Sequence, residues 1–592
     1  MKIFTANKSR IRKMIKKILS ISIIFISVIL ALTSCQLFGH THKWSEWKVT
    51  IPKVDCEADG VEERSCDCGE METRSIPAHT YDCKELVEPT ETRDGYTEYT
   101  CSACGYIHKS DFVDAIGTKG LSYSRNSDGK SCSITGLGGC TDEEIAIPAS
   151  IDGYTVTAIK EEAFLHCYNL TYINLPNTIT SIGKGAFNNC SKVREIVLSD
   201  SLVSIGDYAF LGCHSLKNLE LPDSVTTIGI YAFAECKNLE CFSIPRGITT
   251  ISEYMFNNCQ NLSSIVIPDS VTTIDKLAFN GCKKLVNVEI PKAVTKIGMY
   301  AFAECESLTD ISIPDNITTI AEAVFSGCKS LTSITIPDKV TSIGANAFSD
   351  CTSLTGIVIP DGVTSIGFSA FENCSALASI VIPDGVTTIS YSMFRGCKNL
   401  ESITLGKYVT IIEGGAFEEC KSLTSIDLPD SITDIYSGAF YKCESLTSVS
   451  LPKNLTYIAS DLFAGCKSLT SIDIPDIVTF ISIRAFSGCT SLESIVIPDG
   501  NTIIDYEVFN GCTSLTSIVV PISVTSIGMK AFSGCSNLDS IYYYGSADDW
   551  NKITFEYANE SFVNANRYYY SEAEPVTDGN FWHWVDGIAT LW

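Results

Sequence analysis

Histidine and positive charge are what this chain has least of. Its 592 residues include seven histidines, and 43 lysines and arginines stand against 69 aspartates and glutamates, a formal charge of −26. So acidic a surface argues against nucleic acid and against an electrostatic grip on anionic lipid, because both attract basic proteins. The order His-Glu-x-x-His is missing, as are Gly-x-Ser-x-Gly and Gly-x-x-x-x-Gly-Lys-[Ser/Thr]. The zinc-protease, serine-hydrolase and phosphate-loop chemistries that need those spacings therefore have no foothold. His166 and His214 flank repeated cysteines at positions filled elsewhere by other polar residues, and read as surface variation. An enzyme is not expected. Beyond residue 35 there is no further long apolar run.

What is present is period. Seventeen phenylalanines, from Phe164 through Phe187 and Phe210 to Phe532, stand 23 residues apart, and each is followed three positions later by a cysteine, Cys167 to Cys535. A fixed period of this length marks a solenoid, in which each repeat is too small to bury its apolar edge alone and shares a core with its neighbours. One repeat reads Leu331, Ile334, Ile336, Pro337, Val340, Ile343, Gly344, Ala347, Phe348, Cys351. Spacing of two puts Ile334 and Ile336 on one face of a short strand, and the proline ends it. Val340 to Ile343 suits a second extended piece, and the glycine after it suits a turn. No helix of ordinary length fits between them.

The motif resembles the BspA-type (Treponema pallidum type) leucine-rich repeat of bacterial surface proteins, over residues from about 121 to 541. It differs from the common leucine-rich repeat in placing proline after the strand and in lacking the asparagine row. The resemblance implies a mostly β, leucine-rich-repeat-like solenoid of 23-residue coils with terminal caps, here preceded by two small cysteine-rich modules. It also implies secretion or surface anchoring, and adhesion to host or neighbouring-cell proteins.

The start of the chain addresses location. Seven lysines and arginines between Lys2 and Lys17 precede an apolar run from Ile18 to Leu32, and Leu32, Thr33, Ser34, Cys35 resembles a bacterial lipobox. The run is short for a membrane span, which needs about 20 apolar residues. In bacterial lipoproteins cleavage falls before such a cysteine, which then carries the lipid, so the resemblance assigns lipid attachment to Cys35. An ordinary signal peptide or an uncleaved anchor is the alternative. All three place the protein outside the cytoplasm, the first of them on the membrane-anchored cell surface. The expected division is 1–34 signal peptide, 35–118 tether and two modules, 119–163 N-terminal cap, 164–541 solenoid and 542–592 aromatic C-terminal cap.

Twenty-seven cysteines divide into Cys35, six between Cys56 and Cys104, Cys132, Cys140, Cys241 and the seventeen of the ladder. In an exported protein the default reading is disulfides. The ladder resists it, because seventeen cysteines in one register position have parallel Cβ vectors and an odd count; they read as small buried hydrophobes. The two modules run from Trp44 to His79 and from Cys83 to His108, each with a glycine six residues before a cysteine pair. Cys101-x-x-Cys104 followed by Gly105 resembles half of a zinc ribbon, whereas Cys66 and Cys68 are separated by one residue. Cys66, Cys68, Cys101 and Cys104 are candidate ligands for zinc, with His40, His42, His79 and His108 as nitrogen donors; disulfides and free thiols remain open beside it. No other cofactor is indicated.

The bridge from Gly120 to Ile159 repeats the strand-then-proline pattern at Ile145, Ile147 and Pro148, with an insertion at Asp152-Gly153-Tyr154. After residue 541 come Trp550, Phe555, Phe562, Tyr568-Tyr569-Tyr570, Phe581-Trp582-His583-Trp584 and Trp592. Aromatics this dense either plug the last coil or stack on sugars; a single cluster placed straight after the last repeat favours the plug. Aspartates such as Asp338, Asp361 and Asp384 follow the strand-ending prolines, and read as turn residues rather than as calcium ligands. Positions five and seven past each cysteine should face outward from the first strand. In the N-terminal coils they hold Tyr172, Asn174, Glu195, Asn218, Glu220, Asn287, Glu289 and Asp310, the candidate binding face, and later coils are nearly uniform in serine. The expected partners are extracellular or host-surface proteins. A glycan-binding or structural envelope protein is the alternative.

Metal analysis tests the zinc reading. The chain purified without chelator should carry zinc in proportion to protein, and less than about half an equivalent would end that assignment.

Overall fold

The computed structural model describes residues 48–51, 60–65, 71–76, 81–101, 107–113, 115–576 and 579–592. They fall into two compact units, Met1–Ile116 and Gly117–Trp592. In the first unit, β1 (Lys48–Ile51), β2 (Gly60–Ser65) and β3 (Met71–Ile76) form one antiparallel three-stranded sheet. Strands β4 (Tyr81–Val87), β5 (Gly95–Cys101) and β6 (Ile107–Val113) form another. The shared glycine opens the middle strand of each. At Gly95 a Cβ would meet Pro89 Cδ at 2.6 Å and the Val87 carbonyl oxygen at 2.7 Å, so the returning loop accepts only glycine there.

The second unit is the solenoid, mostly β and built from 23-residue coils. In the coil of Phe348 the first strand is Ser333–Thr335, with Ile334 and Ile336 buried and Ser333 and Thr335 exposed, the alternation that spacing of two demands. Pro337 stops the strand, and its carbonyl accepts from the Val340 amide at 3.0 Å to close a turn over Asp338. Ser342–Ile343 then forms the second strand. Both strands pair in parallel with their equivalents 23 residues on, Ser333 with Gly356 and Ser342 with Ser365. Gly344 differs from its expected role as a turn residue. A Cβ there would lie 2.5 Å from the Glu322 amide nitrogen, so it permits the close approach of two coils.

The remaining arm of each coil carries the phenylalanine and is neither strand nor helix. Asn346, Phe348 and Asp350 donate their amides to the carbonyls of Phe368, Ala370 and Glu372 in the next coil at 2.8–2.9 Å. The amides between them turn inward, Ser349 to the Asn346 carbonyl and Cys351 to that of Phe348. This pattern requires left-handed backbone at two places per coil, two residues before and two after the phenylalanine, such as Asn346 at φ 54° and Asp350 at φ 59°. A left-handed non-glycine residue costs about 1–2 kcal/mol. The position after phenylalanine meets that cost with glycine or asparagine in most coils, as at Gly488, Gly511 and Asn373. The position before it carries tyrosine at 208, 231, 254 and 300, held left-handed by hydrogen bonds across coils.

Inside the arm the phenylalanine rings form one stack. Successive rings from Phe164 to Phe532 lie 5.2–6.0 Å apart with interplanar angles of 3–23°. That is the offset parallel arrangement, which avoids the repulsion of eclipsed π faces. One core runs without interruption from Leu121 to Ala565.

Both ends are closed. At the first, β7 (Ser122–Arg125) and β8 (Ser131–Gly136) form an antiparallel hairpin, and β8 pairs in parallel with β9 (Tyr154–Ile159), the start of the second-strand row. Asp152 and Gly153 both have positive φ, as a two-residue hairpin turn between Ser150–Ile151 and β9 requires. At the other end a further coil lies inside the segment expected to be all cap. Ser526–Ile527 pairs with Thr554–Phe555, Ser540–Tyr543 pairs with Asn566–Tyr570, and Phe562 stacks on Phe532 at 4.2 Å. Two short helices, Ala547–Trp550 and Glu560–Asn564, take up the residues that break the period. Asn559, buried before Phe562, supplies from its side chain what a coil would supply from its backbone. Its Oδ1 accepts from the Phe532 amide at 3.0 Å and its Nδ2 donates to the Gly528 carbonyl at 2.9 Å. Phe581–Val585 then adds in parallel and Ile588–Leu591 turns back antiparallel. Trp582 is fully buried beneath them, its indole N–H on the Tyr543 carbonyl at 3.1 Å.

Truncating the stack should be costly. Phe348→Ala should lower unfolding free energy by about 3–5 kcal/mol, because hydrogen-bonded neighbours cannot collapse into the gap. Asn559→Ala should cost about 1–3 kcal/mol by orphaning a buried amide. Urea unfolding followed by circular dichroism measures both, and wild-type midpoints in either variant would refute the packing account.

Candidate functional site

The first-strand row offers an open face. Its outward positions are fixed because Ile, Val or Phe between them is buried, as with Ile196, Phe242, Ile265, Val288 and Ile311. Glu195, Asn218, Glu220, Asn287, Glu289 and Asp310 are all exposed along this row. Tyr172 and Asn174 are not. They are 4 and 3 % exposed, so these two members of the expected binding face are corrected. Register guarantees only that a side chain leaves the core of its own coil; what else covers it is decided by packing. Val266 is exposed in the early coils, and farther along the same row exposes Val358, Val381 and Val496, Val358 at 80 %. Gly356 has open space where a side chain would stand. Charged and amide groups are thus concentrated in the early coils, and serine and valine predominate in the later ones, with Asp427 and Asp473 exposed among them.

The threonine row beside it is committed to structure. Thr355, Thr447 and Thr516 each donate from Oγ1 to the carbonyl 23 residues earlier, at 3.2, 3.1 and 3.0 Å. The cysteine row is likewise internal. Sixteen ladder cysteines, Cys190 to Cys535, are buried, and each thiol leans on the carbonyl of the phenylalanine 26 residues earlier, Cys351 on Phe325 at 3.2 Å. Burial pushes the Cys351 and Cys489 thiols up to about 12, so they stay protonated and unreactive at neutral pH. Cys241 is the exposed exception, its Sγ 3.5 Å from Asn218 Oδ1.

Of the candidate metal ligands, Cys101 closes strand β5, while Cys66, Cys68 and Cys104 lie outside the described residues, as does Cys35. Among the described residues no group of three or more His, Cys, Asp or Glu is arranged to hold a metal ion. Nor is any helix among them long and apolar enough to cross a membrane. The post-proline aspartates serve turns and cross-coil contacts. Asp384 accepts the Lys407 amide at 3.0 Å and pairs with its ammonium at 2.9 Å, which holds its carboxyl below the usual carboxylate range.

One feature escaped the sequence reading. Beside the second-strand row a cleft of about 1010 Å³ opens among Tyr391, Glu413, Glu418, Tyr436, Tyr441 and the Asp461–Arg484 pair, over Gly414, Gly415 and Gly438. Its signal is a reversal within the repeat. Four residues before phenylalanine most coils have glycine or another small residue, and two before it most have a side chain. Glu413 with Gly415, and Tyr436 with Gly438, are the other way round.

Comparison with known proteins identifies the repeat. The family description "BspA type leucine rich repeat region" matches in six copies, across residues 157–286, 272–401, 364–493 and 457–567. A leucine-rich repeat protein from Bacteroides ovatus is 29 % identical over 78 % of this chain and 99 % of its own, with a TM-score of 0.42. A leucine-rich cell surface protein from Faecalibacterium prausnitzii is 28 % identical over 75 % of this chain and 98 % of its own, with a TM-score of 0.34. The leucine-rich repeat protein of Treponema pallidum is 25 % identical over 44 % of this chain and 89 % of its own, with a TM-score of 0.23. No curated protein matches the chain.

The buried thiols set a pH dependence. Unfolded, they ionise near 9; folded, Cys351 and Cys489 hold their protons to about 12. Above pH 9 the unfolded chain therefore binds fewer protons than the native one, and stability falls as pH rises. Melting temperature should be level to about pH 8 and drop steeply above 9. Native labelling with iodoacetamide should mark Cys241 and spare Cys190 to Cys535 until denaturant is added; labelling of those sixteen at neutral pH without denaturant would contradict the burial.

Proposed function

The chain belongs to the BspA-type leucine-rich repeat family, and from that premise we propose that it is a lipid-anchored, adhesin-like protein of the bacterial cell surface. Its anchor is Cys35, diacylated after removal of residues 1–34. Residues 35–118 hold the repeat unit away from the membrane, and the first-strand face of the early coils engages extracellular or host proteins.

The observation that carries this reading is the contrast along one face. Glu195, Asn218, Glu220, Asn287, Glu289 and Asp310 vary from coil to coil and are exposed, whereas the core positions beneath them repeat almost unchanged. The core explains the repeated residues, and folding does not require the variable ones. A broad, open array of this kind suits many weak simultaneous contacts rather than one deep pocket, and many copies anchored in one membrane multiply their effect. The acidic character of Glu220, Glu289 and Asp310 points to basic patches on the partner, which speed association and reject acidic competitors.

The test is adhesion to immobilised extracellular-matrix proteins and, in parallel, polysaccharides, with wild-type protein and a Glu220→Lys, Glu289→Lys, Asp310→Lys triple variant. Binding to at least one protein should weaken by about tenfold or more in the variant, with melting unchanged because all three residues are exposed. Binding to polysaccharides alone, or protein binding indifferent to the variant, would overturn the assignment. Globomycin treatment and metabolic palmitate labelling test the anchor: Cys35→Ser should abolish lipid incorporation.

A further inference from the structure

The cleft over Gly415 and Gly438 lies away from the first-strand face, and its construction calls for a separate account. In most other coils the position two before phenylalanine carries a side chain, with Tyr208, Tyr231 and Tyr254 stacked ring on ring at 5.0 and 4.1 Å. In two consecutive coils that side chain is removed, and the residue two places earlier, usually small, becomes Glu413 and Tyr436. A gap left by glycine alone would be a defect. Here each missing side chain is matched by a new wall.

The walls have a definite chemistry. Tyr391 and Tyr436, 57 and 45 % exposed, line the opening together with Tyr441. The carboxylates are held rigidly. Glu413 Oε2 accepts the Tyr391 amide at 2.7 Å, Glu418 Oε2 lies 3.5 Å from Arg395 Nε, and Asp461 takes a two-pronged grip from Arg484 at 2.7 and 2.9 Å. One unmet group lies against the gap. Ser392, 2 % exposed, has a hydroxyl with no partner, and that oxygen stands 3.3 Å from where a Cβ on Gly415 would be.

We infer that this cleft is a binding site for a short neutral oligosaccharide. Sugar rings present flat C–H faces that stack on exposed tyrosines and an equatorial rim of hydroxyls that bonds to fixed carboxylates, guanidinium groups and hydroxyls. The volume is at the upper end for small-ligand sites and exceeds one sugar ring. A cationic ligand is the weaker match, because Asp461 and Glu418 are already opposed by Arg484 and Arg395. The inference is independent of the protein-binding face, which shares none of these residues.

Titration calorimetry on the whole protein with cellotriose, mannotriose, tri-N-acetylchitotriose and, as the cationic probe, trilysine tests it. At least one trisaccharide should bind saturably, one per chain, at millimolar concentration or below. Gly438→Tyr refills the gap at a position where four other coils carry tyrosine with the same backbone. A Cβ there meets nothing nearer than Tyr441 Cβ at 3.7 Å. This variant and Tyr391→Ala should each weaken binding by at least about tenfold. Gly185→Tyr, the same substitution at the same register position outside the cleft, should leave it unchanged. Absence of trisaccharide binding, binding of trilysine alone, or affinity that survives both Gly438→Tyr and Tyr391→Ala would overturn the inference.

Discussion

Every coil of this protein depends on the coil beside it. Amides of the phenylalanine arm donate to carbonyls one coil on, both strand rows pair coil to coil, and each phenylalanine ring stacks on those of the coils beside it. A single 23-residue coil closes only local turn hydrogen bonds, such as Val340 to Pro337 and Cys351 to Phe348, and has no second layer to bury its apolar edge against. Stability is therefore a property of the interfaces between coils. The strictness of the period follows, because one inserted residue in a coil would put three rows of contacts out of register together.

This constraint divides the surface by use. Positions whose side chains fill the space between coils are fixed: the phenylalanine and the cysteine leaning on a neighbouring carbonyl. Positions that face outward are free to differ, and the early coils use that freedom on the first-strand face. The cleft is a second departure, made by moving bulk from one register position to another two residues away. The ends obey the same rule. A hairpin covers the first coil, while at the last the Asn559 side chain takes the place of a backbone carbonyl.

The repeat itself could be read directly from the sequence. Phe348 and Cys351 recur with a period, Ile334 and Ile336 alternate, and Pro337 stops a strand, and these three local facts require a stacked β coil. Other features gave partial signals. Gly and Asn two residues after phenylalanine mark a left-handed turn, but Tyr231 or Glu507 in the same conformation two residues before it do not advertise it. The last coil was hidden because helix Ala547–Trp550 and its neighbours break the spacing between Phe532 and Phe562. Gly344 has the sequence context of a turn residue, whereas its role is to let two backbones close to contact.

The sequence alone determined the period, the strand positions, the buried rows and which positions leave each coil's core, because these depend on spacing within one repeat. Only the tertiary structure decided that Tyr172 and Asn174 are covered, that Asn559 caps a distant amide, and that Gly415, Gly438, Tyr391 and Arg484 surround one space. Those outcomes depend on groups drawn from different coils, and the distance between such groups is set by how the coils stack.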